Sequence, residues 1–353
     1  MTLPSVLLHD HLDGGLRPAT ILEIAEATGY RDLPADDPES LAAWFDQSES
    51  GSLERYLEAF THTIAVMQDA PSLERVAYEA ARDLAAAGVV YAEIRFCPRL
   101  HTEKGLDMKT VVEAVASGFA NSGTGLVWGL IIDALRQYDD SMEMAELAVA
   151  CRHLGVVGFD LAGPEAGNPP RRHLAACSFA RQSGLRLTIH AGEAAGVDGP
   201  AYMAEAMDLC GAERLGHGVE IVRDCVIEDG EIVKLGEVAS RIRDRQIPLE
   251  MCPYSNLATG ALTAAQHPIG ALYRSGFNVT ISTDNRLMSS TSMPKEFEFV
   301  TTHHGLGVTD LARITRRSLA AAFCGHETKV RLWEERIAPA YVEAGAEIDA
   351  RWA

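Results

Sequence analysis

The chain has 353 residues, 47% of them hydrophobic, and sets 50 acidic against 31 basic side chains for a formal charge of -19. That length accommodates one large α/β barrel without forcing a division in two, and so acidic a chain repels polyanions, which argues against nucleic acid and anionic membrane surfaces as partners. No apolar run reaches the roughly 20 residues of a spanning helix, no basic and apolar leader opens the chain, and seven scattered cysteines form no C-x-x-C pair, so a cytoplasmic protein with free thiols is expected.

Apolar runs rich in β-branched residues alternate with segments of helical spacing, the pattern of a parallel sheet. Eight are predicted as strands: Val6 to Asp13, Val90 to Pro98, Leu126 to Arg136, Val156 to Gly163, Leu185 to Glu193, Arg214 to Val219, Ile247 to Asn256 and Asn278 to Asn285. Eight closes a (β/α)8 TIM barrel, the α/β fold predicted here for one metal-dependent hydrolase domain over residues 1–353. Helices are predicted over Met108 to Ser122, Met142 to His153, Arg172 to Ser183, Pro200 to Cys210, Val233 to Arg245 and His267 to Ser275, and Glu228 to Glu231 reads as a solvated acidic turn. The stretch from Arg17 to Gly88 is too long for one crossover and is expected to be a helical insertion over the barrel mouth. Pro294 to His304, Val308 to Phe323 and Glu327 to Ala338 read as closing helices, with His303 and His304 on the surface.

Barrel enzymes build their sites at the carboxyl ends of the strands, so the ionisable residues ending these runs are the informative ones. The first ends in His9, His11 and Asp13, which share a face because side chains two apart on a strand point the same way. A lone H-x-H arises by chance. Here the fifth run adds His190 and Glu193, the sixth His217 between two glycines that allow close backbone approach, and the eighth Asp284 and Asn285. Burying so many ionisable groups without a shared purpose is costly. Neutral imidazoles suit zinc, and three of them with one carboxylate make an open, catalytic type of site, leaving Glu193 and His217 for proton transfer.

In these motifs the chain resembles the adenosine deaminase family of the amidohydrolase superfamily. The matching blocks are HDHLDG at His9, VVYAEIRFCP at Val89, GFDLAGPE at Gly158, HAGE at His190, RLGHG at Arg214, CPYSN at Cys252 and STDN at Ser282. The resemblance implies one zinc ion held by His9, His11, His190 and Asp284, with Glu193 giving a proton to purine N1 and His217 and Asp284 orienting the attacking hydroxide. It further implies that Gly163 meets ring N3, Asp13 a ribose hydroxyl and Asn285 ring N7, under an apolar lid of Tyr56, Leu57 and Phe60. Read from the residues alone, those three apolar side chains suit core packing better than a lid. Asn285 and Arg286 depart from the family, which more often has aspartate and then proline; an amide can donate to N7 without first gaining a proton.

The activity implied is deamination of adenosine and 2'-deoxyadenosine, a small-molecule purine nucleoside being the expected partner. Adenine or a modified adenosine as substrate, another amide or ester hydrolase, and a catalytically silent binding protein on this fold are the alternatives. The sequence leaves the oligomeric state open, and the absence of a P-C-x-x-C string argues against the cytidine type of zinc deaminase.

Overall fold

The computed structural model describes residues 2–194, 198–260 and 263–352. Eight parallel strands follow one another around a sheet, β1 (Ser5–His11), β2 (Val89–Phe96), β3 (Val127–Leu135), β4 (Val156–Ala162), β5 (Arg186–Ala191) and β6 (Arg214–His217), then, past a hairpin of β7 (Cys225–Glu228) and β8 (Glu231–Leu235), β9 (Leu249–Met251) and β10 (Val279–Ile281). Just beyond β10, Asp10 and Asp284 form a parallel bridge in which the His11 amide donates to the Asp284 carbonyl and the Asp284 amide to the His9 carbonyl. That seam brings the first and last strands together and makes the sheet a (β/α)8 barrel. Most strand residues are buried on both faces, as a barrel wrapped in helices requires.

Between β1 and β2 lie α1 (Pro18–Thr28), α2 (Pro38–Phe45), α3 (Leu53–Glu58), α4 (Phe60–Val66) and α5 (Ala70–Ala86). Asp37, Ser52 and Asp69 cap α2, α3 and α5 by accepting from amides of their first turns. The fifth of these helices packs on α6 (Met108–Asn121) and on β2 and so occupies a crossover's place in the outer ring. The part that reaches the mouth is α3 with α4. Among the described residues, no helix is long and apolar enough to cross a membrane, and all seven cysteines are free thiols.

Three expectations need correction. The seventh run is a strand only over Leu249–Met251, because Pro253 opens a helix that continues to Gly260, proline's fixed φ suiting a first helical turn. The helix expected from Val233 begins only at Glu237: Ile232 and Val233 lie in β8, and the acidic turn is the hairpin tip, where Asp229 (φ 51°) and Gly230 (φ 76°) adopt the paired left-handed conformation that Asp-Gly favours. Finally, His303 is exposed but His304 is half-buried against Phe299, ring centroids 5.6 Å apart, with its Nε2 buried and unpartnered.

Candidate active site

Strand ends bring the predicted residues together. His9 and His11 leave β1 on one face, His190 ends β5, and Asp284 follows β10 across the seam, so that one ligand atom from each lies within 4.8 Å of the other three. The Nε2 atoms of His9 and His11 each lie 3.4 Å from Asp284 Oδ1, and those of His11 and His190 are 3.2 Å apart. Room for the rings depends on Gly216 in β6, where a Cβ would come within 3.0 Å of His9 Cε1 and 3.1 Å of His190 Cα. Its glycine is needed for packing the imidazoles; Gly218, with φ 72°, turns the chain after His217.

The opposite nitrogens of the three imidazoles all face carboxylates that sequence reasoning missed. His9 Nδ1 is 2.8 Å from Glu250, His190 Nδ1 is 3.0 Å from Asp160, and His11 Nδ1 is 3.5 Å from Asp133. A carboxylate behind an imidazole holds the proton on Nδ1 and turns the Nε2 lone pair inward. His9 Nε2 is then buried without a hydrogen-bond partner, and lone pairs converge where only a cation relieves their repulsion. Burial holds His11 and His217 well below the usual histidine range, and His190 lower as well. Burial pulls His9 down too, as does the Arg95 charge, but the Asp284 and Glu250 carboxylates beside it outweigh them and leave it raised. Nitrogen and carboxylate donors in this arrangement fit zinc.

Beside the cluster, Glu193 Oε2 is 3.6 Å from His217 Nε2. Burial, then the charges of Asp284 and Glu165, push the Glu193 carboxyl well above its ordinary range, which favours its neutral form. Glu165, quoted in a motif but given no role, accepts from the amides of Gly192, Glu193 and Ala194 at 2.7 to 3.0 Å and pins the turn that carries Glu193. Asn256 is the other residue missed: its amide donates to His217 Nδ1 at 2.9 Å while its oxygen accepts from the Cys252 amide and lies 3.3 Å from His267 Nε2. An accepting Nδ1 puts the proton of neutral His217 on Nε2, toward Glu193 and the cluster. Ser255 donates to Asp284 Oδ2 at 2.5 Å, leaving Oδ1 for the imidazole side. Both His217 (φ 59°) and Asp284 (φ 56°) sit in the left-handed region, which costs a non-glycine residue about 1 kcal/mol or more and recurs at functional sites.

All of this opens onto one cavity. His11, Asp13, Gly163, His190, Glu193, His217, Asp284 and Asn285 line it on the barrel side, and Leu53, Tyr56, Leu57, Phe60 and Ile64 line it from α3 and α4; His9 lies in the cluster but is not among the lining residues. Tyr56 combines packing with lining, being 1% exposed with its hydroxyl 2.7 Å from Ser289 Oγ. Burial, with Asp10 and Asp284 nearby, pushes Asp13 up to about 7. Among the described residues that line the cavity none is lysine or arginine. Arg286 instead clamps the seam, its Nε donating to Asp10 Oδ1 at 2.9 Å beside the Thr283 hydroxyl at 2.7 Å.

Compared with known proteins, residues 4–339 match the family model described as adenosine deaminase. A protein of Mycobacterium avium named adenosine deaminase is 50% identical over 351 residues, covering 96% of this chain and 95% of its own. Among solved structures, the adenine deaminase of Arthrobacter aurescens superposes with a TM-score of 0.85 at 28% identity, over 97% of this chain and 99% of that one. An amidohydrolase from Burkholderia ambifaria with bound Zn superposes at 0.83 with 24% identity, over 98% and 92%, a likeness of fold.

Proposed function

The chain belongs to the adenosine deaminase family and is a hydrolase, and from that premise we propose that it hydrolytically deaminates adenosine and 2'-deoxyadenosine to inosine and 2'-deoxyinosine with release of ammonia. The observation that carries this reading is the convergence of His9, His11, His190 and Asp284 beside a buried acid, Glu193, at a cavity whose described lining has no lysine or arginine. Zinc is the cofactor that the donor set fits, and when bound it makes hydroxide available near neutral pH and polarises the bond attacked.

The protein's own groups would do the rest. Attack at C6 of an aromatic purine is unfavourable until N1 takes a proton, and Glu193, kept neutral by burial, delivers it. His217, with Nε2–H fixed by Asn256, donates to the oxygen arriving at C6 and steadies the charge that develops there. Asp284, whose Oδ2 accepts from Ser255 so that Oδ1 faces the cluster, is the carboxylate placed to collect the proton lost by the attacking water. Asp13 accepts from a sugar hydroxyl, Gly163 presents backbone to the ring edge at φ 87° where a side chain would strain, and Asn285 donates to N7. Leu57, Phe60 and Tyr56 exclude water over the base. Reduced thiols throughout the chain suit the cytoplasm.

The test is an ultraviolet assay on adenosine, 2'-deoxyadenosine, adenine and N6-modified adenosines, with and without a chelator. Fast loss of absorbance with the first two, abolished by chelation and restored by zinc, is expected. Turnover confined to adenine, or indifferent to chelation, overturns the reading.

A further inference from the structure

The third strand supplies no ligand to the imidazole cluster, yet its end builds a wall of the cavity. Asp133 and Leu135 on β3, and Gln137 two residues beyond its end, all line it, as alternation along extended backbone dictates. Asp133 is 1% exposed; its Oδ2 lies 3.5 Å from His11 Nδ1, while its Oδ1 is buried with no partner. Gln137 Oε1 is likewise buried and unpartnered, lying against Gly163, where a Cβ would come within 2.6 Å of it. Asp13 Oδ1 is a third such oxygen on the same cavity.

Buried acceptors are almost always satisfied, and one left unpaired destabilises the fold. Gathered on a ligand cavity, these oxygens call for hydrogen-bond donors on the ligand. The lining described offers no cation to balance a phosphate, so the donors belong to a neutral, hydroxyl-bearing group. Within the nucleoside reading above, on which this rests, only the sugar has that chemistry, since the purine edges are taken by Glu193, Gly163 and Asn285.

We propose that Asp133 and Gln137 recognise the ribose of the substrate, accepting hydrogen bonds from its hydroxyls alongside Asp13, so that β3 sets sugar preference while the other strand ends carry out the chemistry. A site built to bind a hydroxyl discriminates against the analogue lacking it, because its own polar groups are then left unpaired.

The experiment measures kcat/KM of the zinc enzyme for adenosine and for its 2'-, 3'- and 5'-deoxy analogues, in the wild type, Asp133→Ala and Gln137→Ala, with zinc content measured for each. In the wild type at least one analogue is expected to fall about tenfold below adenosine, the value of a hydrogen bond of this kind. In each variant that ratio is expected to shrink to within about twofold, through a higher KM for adenosine. A ratio unchanged in both variants, or a wild type indifferent to every hydroxyl, overturns the inference. Loss of zinc from Asp133→Ala with an unchanged ratio in Gln137→Ala also overturns it, showing that Asp133 serves only to orient His11; loss of zinc with a flattened ratio in Gln137→Ala supports it. A wild type inactive on all these nucleosides removes the substrate reading itself, an outcome distinct from the others.

Discussion

Within one barrel, two sets of buried polar groups meet opposite fates. Arg95, Arg214, Glu93, Asp160 and Glu250 are at most 1% exposed and bound to one another: Arg95 reaches Asp160 at 2.5 Å and Glu250 at 2.8 Å, and Arg214 reaches Glu250 at 2.6 Å and Glu93 at 2.5 Å. Each oxygen of Glu250 accepts twice, from Thr188 and Arg214 on one side and from Arg95 and His9 on the other. At the cavity, Asp13, Asp133 and Asn285 are also no more than 4% exposed, but each keeps an oxygen without a partner. Burial alone therefore does not distinguish scaffold from site. The carboxylates of the first set are saturated, though Arg95 Nε is not, whereas the unpaired oxygens of the second set belong to residues that line the cavity.

If that division is right, changes on the cavity side should alter catalysis with little loss of stability. The largest effect expected is for Glu193→Gln, which keeps zinc and the fold but lowers kcat by about 10²–10⁴-fold, the value of a positioned general acid; undiminished turnover removes Glu193 from the mechanism. On the saturated side, Arg95→Met leaves Glu250 and Asp160 without a cation and should cost about 3–5 kcal/mol in denaturant titration. A loss under 1 kcal/mol there would erase the distinction.

Asp13 offers a titration of the same idea. Its carboxyl is raised to about 7 in the folded chain against about 3.9 unfolded, so the stability it contributes is full below pH 4 and is lost as pH rises through 7. Asp13→Asn abolishes that loss, and the stability of the variant relative to the wild type should climb between pH 4 and pH 8 by at most about 4 kcal/mol. Parallel pH–stability curves would show that Asp13 ionises freely. The smallest effect is expected of Asn285→Asp, which should change KM by about two- to tenfold, one hydrogen bond's worth, with zinc content intact. Loss of zinc would instead make position 285 a support for Asp284.

Much of the site was readable before folding. The His9 and His11 pair, His190 with Glu193, His217 and Asp284 all terminate apolar runs, and termination is a local property of the chain. Glu250 was hidden for the converse reason: it lies within the seventh run, where a single carboxylate among apolar neighbours carries no sign of the four donors that reach it from Thr188, Arg214, Arg95 and His9. Asp133 and Asp160 were concealed in the same way inside β3 and β4, and Asn256 because the helix that presents it was read as strand. The turn at Asp229 and Gly230 was legible as a turn, but the residues after it from Val233 were given to a helix by their spacing, so the hairpin strand β8 was missed.

Residue type and periodicity sufficed for the eightfold alternation, the strand ends that carry the histidine and aspartate cluster and the acidic, free-thiol character of the chain, since each depends on neighbours a few positions apart. Which carboxylate backs which imidazole, which proton His217 carries and which oxygens stay unpaired were settled only when strands distant in the chain closed at the Asp10–Asp284 seam. Hydrogen bonds and charge pairing act over a few ångströms of space, and separation along the chain places no residue at that range until the barrel forms.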